Sequence, residues 1–201
     1  MSKIALTPNA SGSGTFTIAA PNSDTDRTLT LPDEAGTVLT SASDVGVTDF
    51  DMWRVTSNQS GDLSPISSGW ERVDTDNYAL YGSGVSQSSG VFTFPSTGFW
   101  FLMATFNQQI NGSDSRYGDN FIDITTDNSS WSNAAYCSFG ITQNSGGTTS
   151  NTGSCNFIFR VTDTSLCKAR LAVSVEDNIT ETTGDTNGNG TAITFIRLRG
   201  L

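Results

Sequence analysis

The feature that most constrains the fold is an apolar segment in the middle of the chain, Phe99–Phe106, with the sequence FWFLMATF. In a β-strand successive side chains point to opposite faces, so a strand with this sequence is apolar on both faces. One face must line a core. The other is covered either by the chain's own loops or by an oligomer interface, and the aromatic content favours the interface. The predicted interface residues are Phe99, Trp100, Phe101 and Met103.

Residues 49–201 carry many more strand signals, in short runs rich in aromatic and β-branched residues and separated by Gly, Asn, Asp and Ser. No segment has a helical pattern. The sequence therefore predicts an all-β, antiparallel sandwich or jelly roll. The predicted strands are Met52–Thr56, Trp70–Val73, Tyr78–Tyr81, Gly90–Phe94, Phe99–Asn107, Asn120–Thr126, Ala134–Ile141, Cys155–Val161, Lys168–Glu176 and Ala192–Leu198.

Charge and hydropathy limit the partners that the chain can have. The net charge is −10, which repels phosphate backbones and argues against nucleic-acid binding. No apolar run is long enough to span a membrane, and residues 1–20 lack the apolar segment of a secretory signal peptide. We expect a protein that is made in a cytoplasm and does not insert into membranes.

Catalytic chemistry is sparsely represented. The chain has no histidine, which excludes Ser-His-Asp and Cys-His arrangements, and it has no Gly-rich phosphate loop. We expect no enzymatic activity and no cofactor, with a glycan hydrolase built on two of the carboxylates as a less favoured alternative. The cysteines are Cys137, Cys155 and Cys167. Free thiols are favoured, although Cys137 and Cys155 could pair if their strands meet.

One phrase resembles a metal loop. Asp185, Asn187 and Asn189 stand two residues apart before Gly190, as in the opening of a calcium loop. The distal Glu of such a loop is missing, because Ile196 occupies its place. An ordinary Asn-Gly hairpin is the favoured alternative.

Binding residues are sought on the long polar loops predicted at residues 111–119, 143–154 and 177–191, because loop tips tend to carry binding sites. Near these loops lie three aromatic side chains that could stack on a sugar ring, with core or interface packing as the alternative. The candidate receptor-binding residues are Tyr117, Trp131, Tyr136, Asn144 and Asp185.

Residues 1–48 differ from the rest of the chain. Short alternating runs such as Thr28-Leu29-Thr30-Leu31 recur between Gly, Pro, Asn and Asp, with almost no large core residues. Such strands cannot close a core within one chain, so the segment is either disordered or stabilised by other chains. We predict an extended segment that is stabilised by other copies, leading into a domain at residues 49–201.

The phrase at residues 90–101, GVFTFPSTGFWF, resembles the signature of the C1q/tumour-necrosis-factor-like jelly roll, with Gly-x-Phe, a Pro, then Gly and alternating aromatics. The resemblance extends over roughly residues 51–201. It implies a jelly-roll domain that assembles as a compact homotrimer, with the aromatic strand facing the trimer axis.

Residues 28–40, TLTLPDEAGTVLT, resemble a segment found in tailed-bacteriophage fibre and appendage proteins. The resemblance implies a virion protein, a short trimeric fibre whose N-terminal segment attaches to other virion proteins. Its C-terminal knob would bind a host-surface glycan or protein. The alternative is a purely structural head fibre or tail junction protein.

Overall fold

The computed structural model describes residues 46–143 and 146–200, together with residues 11–15, 17, 19, 22–26 and 28. The chain divides into two units, Met1–Leu39 and Thr40–Leu201, and the strands that the structure describes all belong to the second unit. The predicted extended segment at residues 1–48 lies mostly outside the described residues, and its boundary with the domain stays a prediction. The part of the chain that the structure describes holds no helix able to span a membrane.

The regular elements among the described residues of the second unit are all β-strands, and all of their pairings are antiparallel. This confirms the predicted all-β antiparallel jelly-roll sandwich. The strands are β1 (Asp49–Val55), β2 (Gln59–Ser60), β3 (Trp70–Arg72), β4 (Ser86–Ser88), β5 (Val91–Thr93), β6 (Gly98–Asn111), β7 (Ser115–Thr125), β8 (Ser132–Ile141), β9 (Thr148–Val161), β10 (Lys168–Val175), β11 (Glu181–Thr182) and β12 (Ala192–Arg199).

Two sheets form the sandwich. In the seven-stranded sheet, β6 pairs along its whole length with β9 on one side, and with β12 and then β11 on the other. Beyond β12 lie β1 and β3, and beyond β11 lies β2. The second sheet has five strands in the order β4-β5-β10-β7-β8.

The core lies between the sheets, and β6 supplies its centre. Alternate β6 side chains, Trp100, Leu102, Ala104 and Phe106, are fully buried there, because a strand presents every second residue to one face. This confirms that one face of the segment lines a core. It also corrects one interface assignment: the Trp100 side chain lies inside the sandwich, with its Nε1 donating to the Ser96 carbonyl (3.1 Å), and cannot reach a neighbouring chain.

The strand boundaries differ from prediction mainly where the strands are polar. β9 begins at Thr148 and β7 at Ser115, inside segments that the sequence predicts to be loops. The first residues of β9, which are Ser, Thr, Asn and Gly, pair with the far half of β6 through backbone hydrogen bonds, whereas Ser115 of β7 pairs with Ile141 of β8. These starts are polar, so no apolar alternation reveals them. The strand predicted at Tyr78–Tyr81 is wrong, since only Tyr81 forms a bridge, to Phe50.

A buried carboxylate ties the end of β1 to the rest of the sandwich. Asp51 is completely buried, and its oxygens accept hydrogen bonds from the backbone N–H groups of Met52 (2.9 Å) and Val85 (2.7 Å). The Trp53 indole N–H (3.1 Å) and the Tyr78 hydroxyl (3.3 Å) also donate to it. Its charge is balanced by a bidentate pair with the Arg72 guanidinium, at 2.9 and 3.2 Å.

The Tyr78 phenol should make the protein sensitive to alkali. Burial, followed by the neighbouring Asp51 charge, raises the pKa of Tyr78 from 10.0 to about 12. Because the pKa of the phenol is higher in the folded state than in the unfolded state, its contribution to the stability of the fold is fully present below pH 10. This contribution is lost as the pH rises from 10 towards 12. We expect urea unfolding to show a steeper loss of stability in this window for the wild type than for Tyr78→Phe. Parallel losses in the two proteins would contradict this prediction.

Candidate assembly face and ligand groove

The outer face of the seven-stranded sheet carries an apolar row. The strand register places Phe101 of β6 beside Ile158 of β9 on one side and beside Ile196 of β12 on the other, and Ile196 lies beside Phe50 of β1. These four side chains are here called the apolar row. Ile158 is 55% exposed, and the other three are half-buried.

Further apolar side chains widen the apolar row. Met103, 42% exposed, lies two residues from Phe101 on the same face, next to Met52 across the intervening Thr194. Phe99 lies on the other side of the row and is half-buried. Soluble monomers rarely expose contiguous apolar patches of this kind. The described residues of one chain leave this face open, so it is a surface suited to covering by another molecule.

A polar edge bounds this face at β1 and β3. Arg54 shares the face, yet it is completely buried beneath Glu71, Asp74 and Thr75. Its guanidinium contacts Glu71 at 2.7 Å, Asp74 at 2.8 Å and the Thr75 hydroxyl at 2.9 Å. The face open to a partner is therefore centred on β9, β6 and β12.

The outer face of the five-stranded sheet contains a groove of about 340 Å³. Its floor is β10, where Ala172 and Ser174 point outward. One wall comes from a segment that runs beside β10, in which Leu63 exchanges backbone hydrogen bonds with Val173 at 2.9 and 2.8 Å. The groove is lined by Asp62, Ser64, Phe121, Asp123, Asn133, Ala172, Val173 and Ser174.

Hydrogen bonds hold both carboxylates of the groove. Asp62 Oδ1 accepts from the Val175 backbone N–H (2.7 Å). Asp123 Oδ2 accepts from Arg170 Nε (3.1 Å). The Arg170 guanidinium in turn lies over the Trp131 ring, 4.3 Å from its centroid, a favourable cation–π contact. These contacts fix the positions of the acceptor atoms.

Two of the predicted binding residues lie near this groove, although neither of them lines it. Trp131, just before β8, contacts Arg170, which bonds Asp123, and Tyr136 of β8 packs beside Phe121 with ring centroids 6.4 Å apart. Tyr136 is 67% exposed. Tyr117 lies on β7 and does not line the groove, and Asn144 lies outside the described residues.

Asp185 lies elsewhere, beside a polar cavity of about 450 Å³ that Asn58 and Asn107 also line. It forms an antiparallel bridge with Gly188, and its Oδ1 accepts from the Asn187 backbone N–H (2.8 Å). The Asp185 carboxylate thus stabilises its own turn, as the hairpin alternative requires. A calcium loop at Asp185, Asn187 and Asn189 stays the less favoured alternative.

The three cysteines are free. Cys155 of β9 belongs to the core, Cys137 of β8 packs against it, and the two thiols interact with each other. A hydrogen bond from the Cys155 thiol lowers the pKa of Cys137, and the same bond, together with burial, raises the pKa of Cys155.

We therefore expect Cys137 to react first with iodoacetamide at mildly alkaline pH, because the thiolate is the nucleophile. Peptide mass mapping over time should show Cys137 modified before Cys155 and Cys167. Cys155→Ala should slow the Cys137 reaction, whereas Cys167→Ala should leave it unchanged. Modification of Cys155 or Cys167 ahead of Cys137 would overturn the assignment.

No protein-family model matches the chain, and no curated protein matches it. Solved structures do match. The crystal structure of murine APRIL at pH 5.0 aligns with a TM-score of 0.53 and 9% identity, over 75% of this chain and 98% of that chain. Crystal structures of murine APRIL at pH 8.5 and 8.0 align over the same shares at 10% identity, with TM-scores of 0.48 and 0.49. Together with the strand order, the first alignment shows that the second unit has the C1q/tumour-necrosis-factor-like jelly-roll fold.

Proposed function

We propose that the protein is a non-enzymatic bacteriophage virion protein, a short homotrimeric fibre whose C-terminal jelly roll is a knob that binds the host surface. The observation that carries the proposal is the apolar row on the outer face of the seven-stranded sheet. This row extends over four neighbouring strands, β9, β6, β12 and β1. A second copy of the chain offers a matching apolar surface, and three copies close the assembly around one axis.

Charge also supports self-association through this face. The chain carries a net charge of −10, so copies repel one another wherever acidic surfaces meet. Phe50, Phe101, Ile158 and Ile196 carry no charge, and the neighbouring strand ends add Arg160 and Arg199. A contact centred on the apolar row therefore buries hydrophobic area while avoiding acidic pairs.

A trimer allows the knob to bind a surface at three sites at once. Three identical sites on a rigid body bind a repetitive surface with an avidity that exceeds the affinity of each site. The virion part of the proposal is supported by the fibre-like phrase at residues 28–40, which would join the knob to other virion proteins.

Sedimentation equilibrium of the full chain tests the assembly. We expect a mass about three times the 21.3 kDa of one chain, and a monomer at high concentration would overturn the trimer. Electron microscopy of labelled particles would then locate the protein on a virion. Competition between the purified trimer and phage for adsorption supports attachment. A trimer that fails to bind cells favours the structural alternative, and release of sugar from host glycan favours the hydrolase.

A further inference from the structure

The groove on the five-stranded sheet presents hydrogen-bonding atoms that the described part of the chain does not use. Asp62 and Asp123 each use one carboxylate oxygen to accept a hydrogen bond from the protein. Among the described residues, none bonds the second oxygen of either carboxylate, the Ser64 or Ser174 hydroxyl, or the Asn133 side-chain amide. The residues that carry these groups all line one cavity.

The acceptors are held in place before any ligand arrives. Asp123 is nine-tenths buried and is fixed by Arg170, which the Trp131 ring supports from the side. Asp62 is fixed by the Val175 N–H at the edge of β10. Binding to such a site costs little conformational entropy, because the side chains are already ordered.

The floor and one flank of the groove are apolar. Ala172 is almost fully buried and small, so a flat ring can approach the sheet closely. Phe121 lines the groove, and Tyr136 lies beside it as a largely exposed ring. Aromatic faces beside carboxylate, hydroxyl and amide groups match the two aspects of a sugar ring, its apolar C–H face and its hydroxyl edge.

We propose that this groove binds a neutral carbohydrate, with Asp62, Asp123 and Asn133 hydrogen-bonding the sugar hydroxyls and Phe121 and Tyr136 packing on the ring. Sugars that carry a carboxylate are disfavoured, since they would face the carboxylates of Asp62 and Asp123. The inference rests on the proposed function, because it names the class of surface ligand that the knob would recognise.

An array of neutral hexose and N-acetylhexosamine oligosaccharides, printed beside uronic- and sialic-acid oligosaccharides, tests the proposal. We expect the full chain to bind one or more neutral members. Calorimetry with that oligosaccharide should show at least a tenfold loss of affinity for Asn133→Ala and for Ala172→Leu, which fills the floor. Asn111→Ala, an exposed asparagine at the end of β6 that does not line the groove, is the matched control and should bind as the wild type does.

Each other outcome overturns the inference. These outcomes are binding to no neutral sugar, preference for acidic sugars, binding that Asn133→Ala and Ala172→Leu leave intact, and binding of pentalysine peptide in the groove instead of sugar. The oligomeric mass separates this test from that of the proposed function. A trimer that binds no sugar removes the groove assignment alone, and a monomer that binds sugar removes the trimer alone.

Discussion

Asp51→Ala is expected to lower the free energy of unfolding by about 3–5 kcal/mol, the usual cost of breaking a buried ion pair by removing one partner. The Asp51 carboxylate accepts from the Val85 and Met52 backbone N–H groups, from the Trp53 indole and from Arg72. Removing it leaves these donors without an acceptor in a space that excludes water. Urea unfolding at one fixed protomer concentration measures the loss, because oligomer stability depends on concentration.

The variant Arg72→Ala turns this prediction into a double-mutant cycle. The Arg72 guanidinium pairs with Asp51 and lies 4.7 Å from the centroid of the Trp53 ring. Because its side chain is partly exposed, it can turn to solvent when Asp51 is absent. We expect the double variant to lose clearly less than the sum of the two single losses. Additive losses, or a loss below about 1 kcal/mol for Asp51→Ala, would show that the carboxylate does not organise this region.

The sequence predicts β6 because its continuous apolar run is a local signal, but it does not predict the Asp51 network. The partners of Asp51 lie 21 residues away at Arg72 and 34 residues away at Val85. Nothing in the residues around Asp51 marks it as buried, since an aspartate in a short strand is as readily explained by an exposed face. Only the packing of the later segments against β1 reveals its role.

The groove is predicted only in part for the same reason. Trp131 and Tyr136 stand out as aromatic side chains near predicted loops, and each contacts a residue beside or in the groove, Arg170 and Phe121 respectively. The sequence reasoning missed Asp62, Asp123 and Ala172. One sequence pattern could have pointed to Asp123, which stands between two isoleucines in β7 as a polar residue of an alternating strand. In the structure it is paired with Arg170 of β10. The sequence does not reveal the register of β7 and β10, which places these residues together.

Phe101→Asp and Ile158→Asp are each expected to weaken self-association by about a hundredfold or more, converting the trimer to a monomer at micromolar concentration. Both side chains lie in the apolar row and are neighbours in the β6–β9 register. A carboxylate there would be buried without a partner in the assembly, at a cost of about 3–5 kcal/mol for each protomer. Sedimentation equilibrium across a range of concentrations measures the change.

Leu166→Asp is the matched control, because Leu166 is also an exposed apolar residue, at 41%, but lies in the turn between β9 and β10. It should leave the trimer intact. Circular dichroism should show that Phe101→Asp and Ile158→Asp retain their β-structure, since neither side chain belongs to the core of the single chain. A trimer that survives both substitutions would place the interface on another face.

Trp100→Asp gives the sharpest contrast, since Trp100 and Phe101 are adjacent in sequence and face opposite ways. The Trp100 ring packs 5.2 Å from the Phe94 ring inside the sandwich, so a carboxylate there destroys the core. We expect Trp100→Asp to unfold the chain and Phe101→Asp to release folded monomers. Dissociation without unfolding in both variants would mean that β6 does not divide its two apolar faces between the core and the assembly.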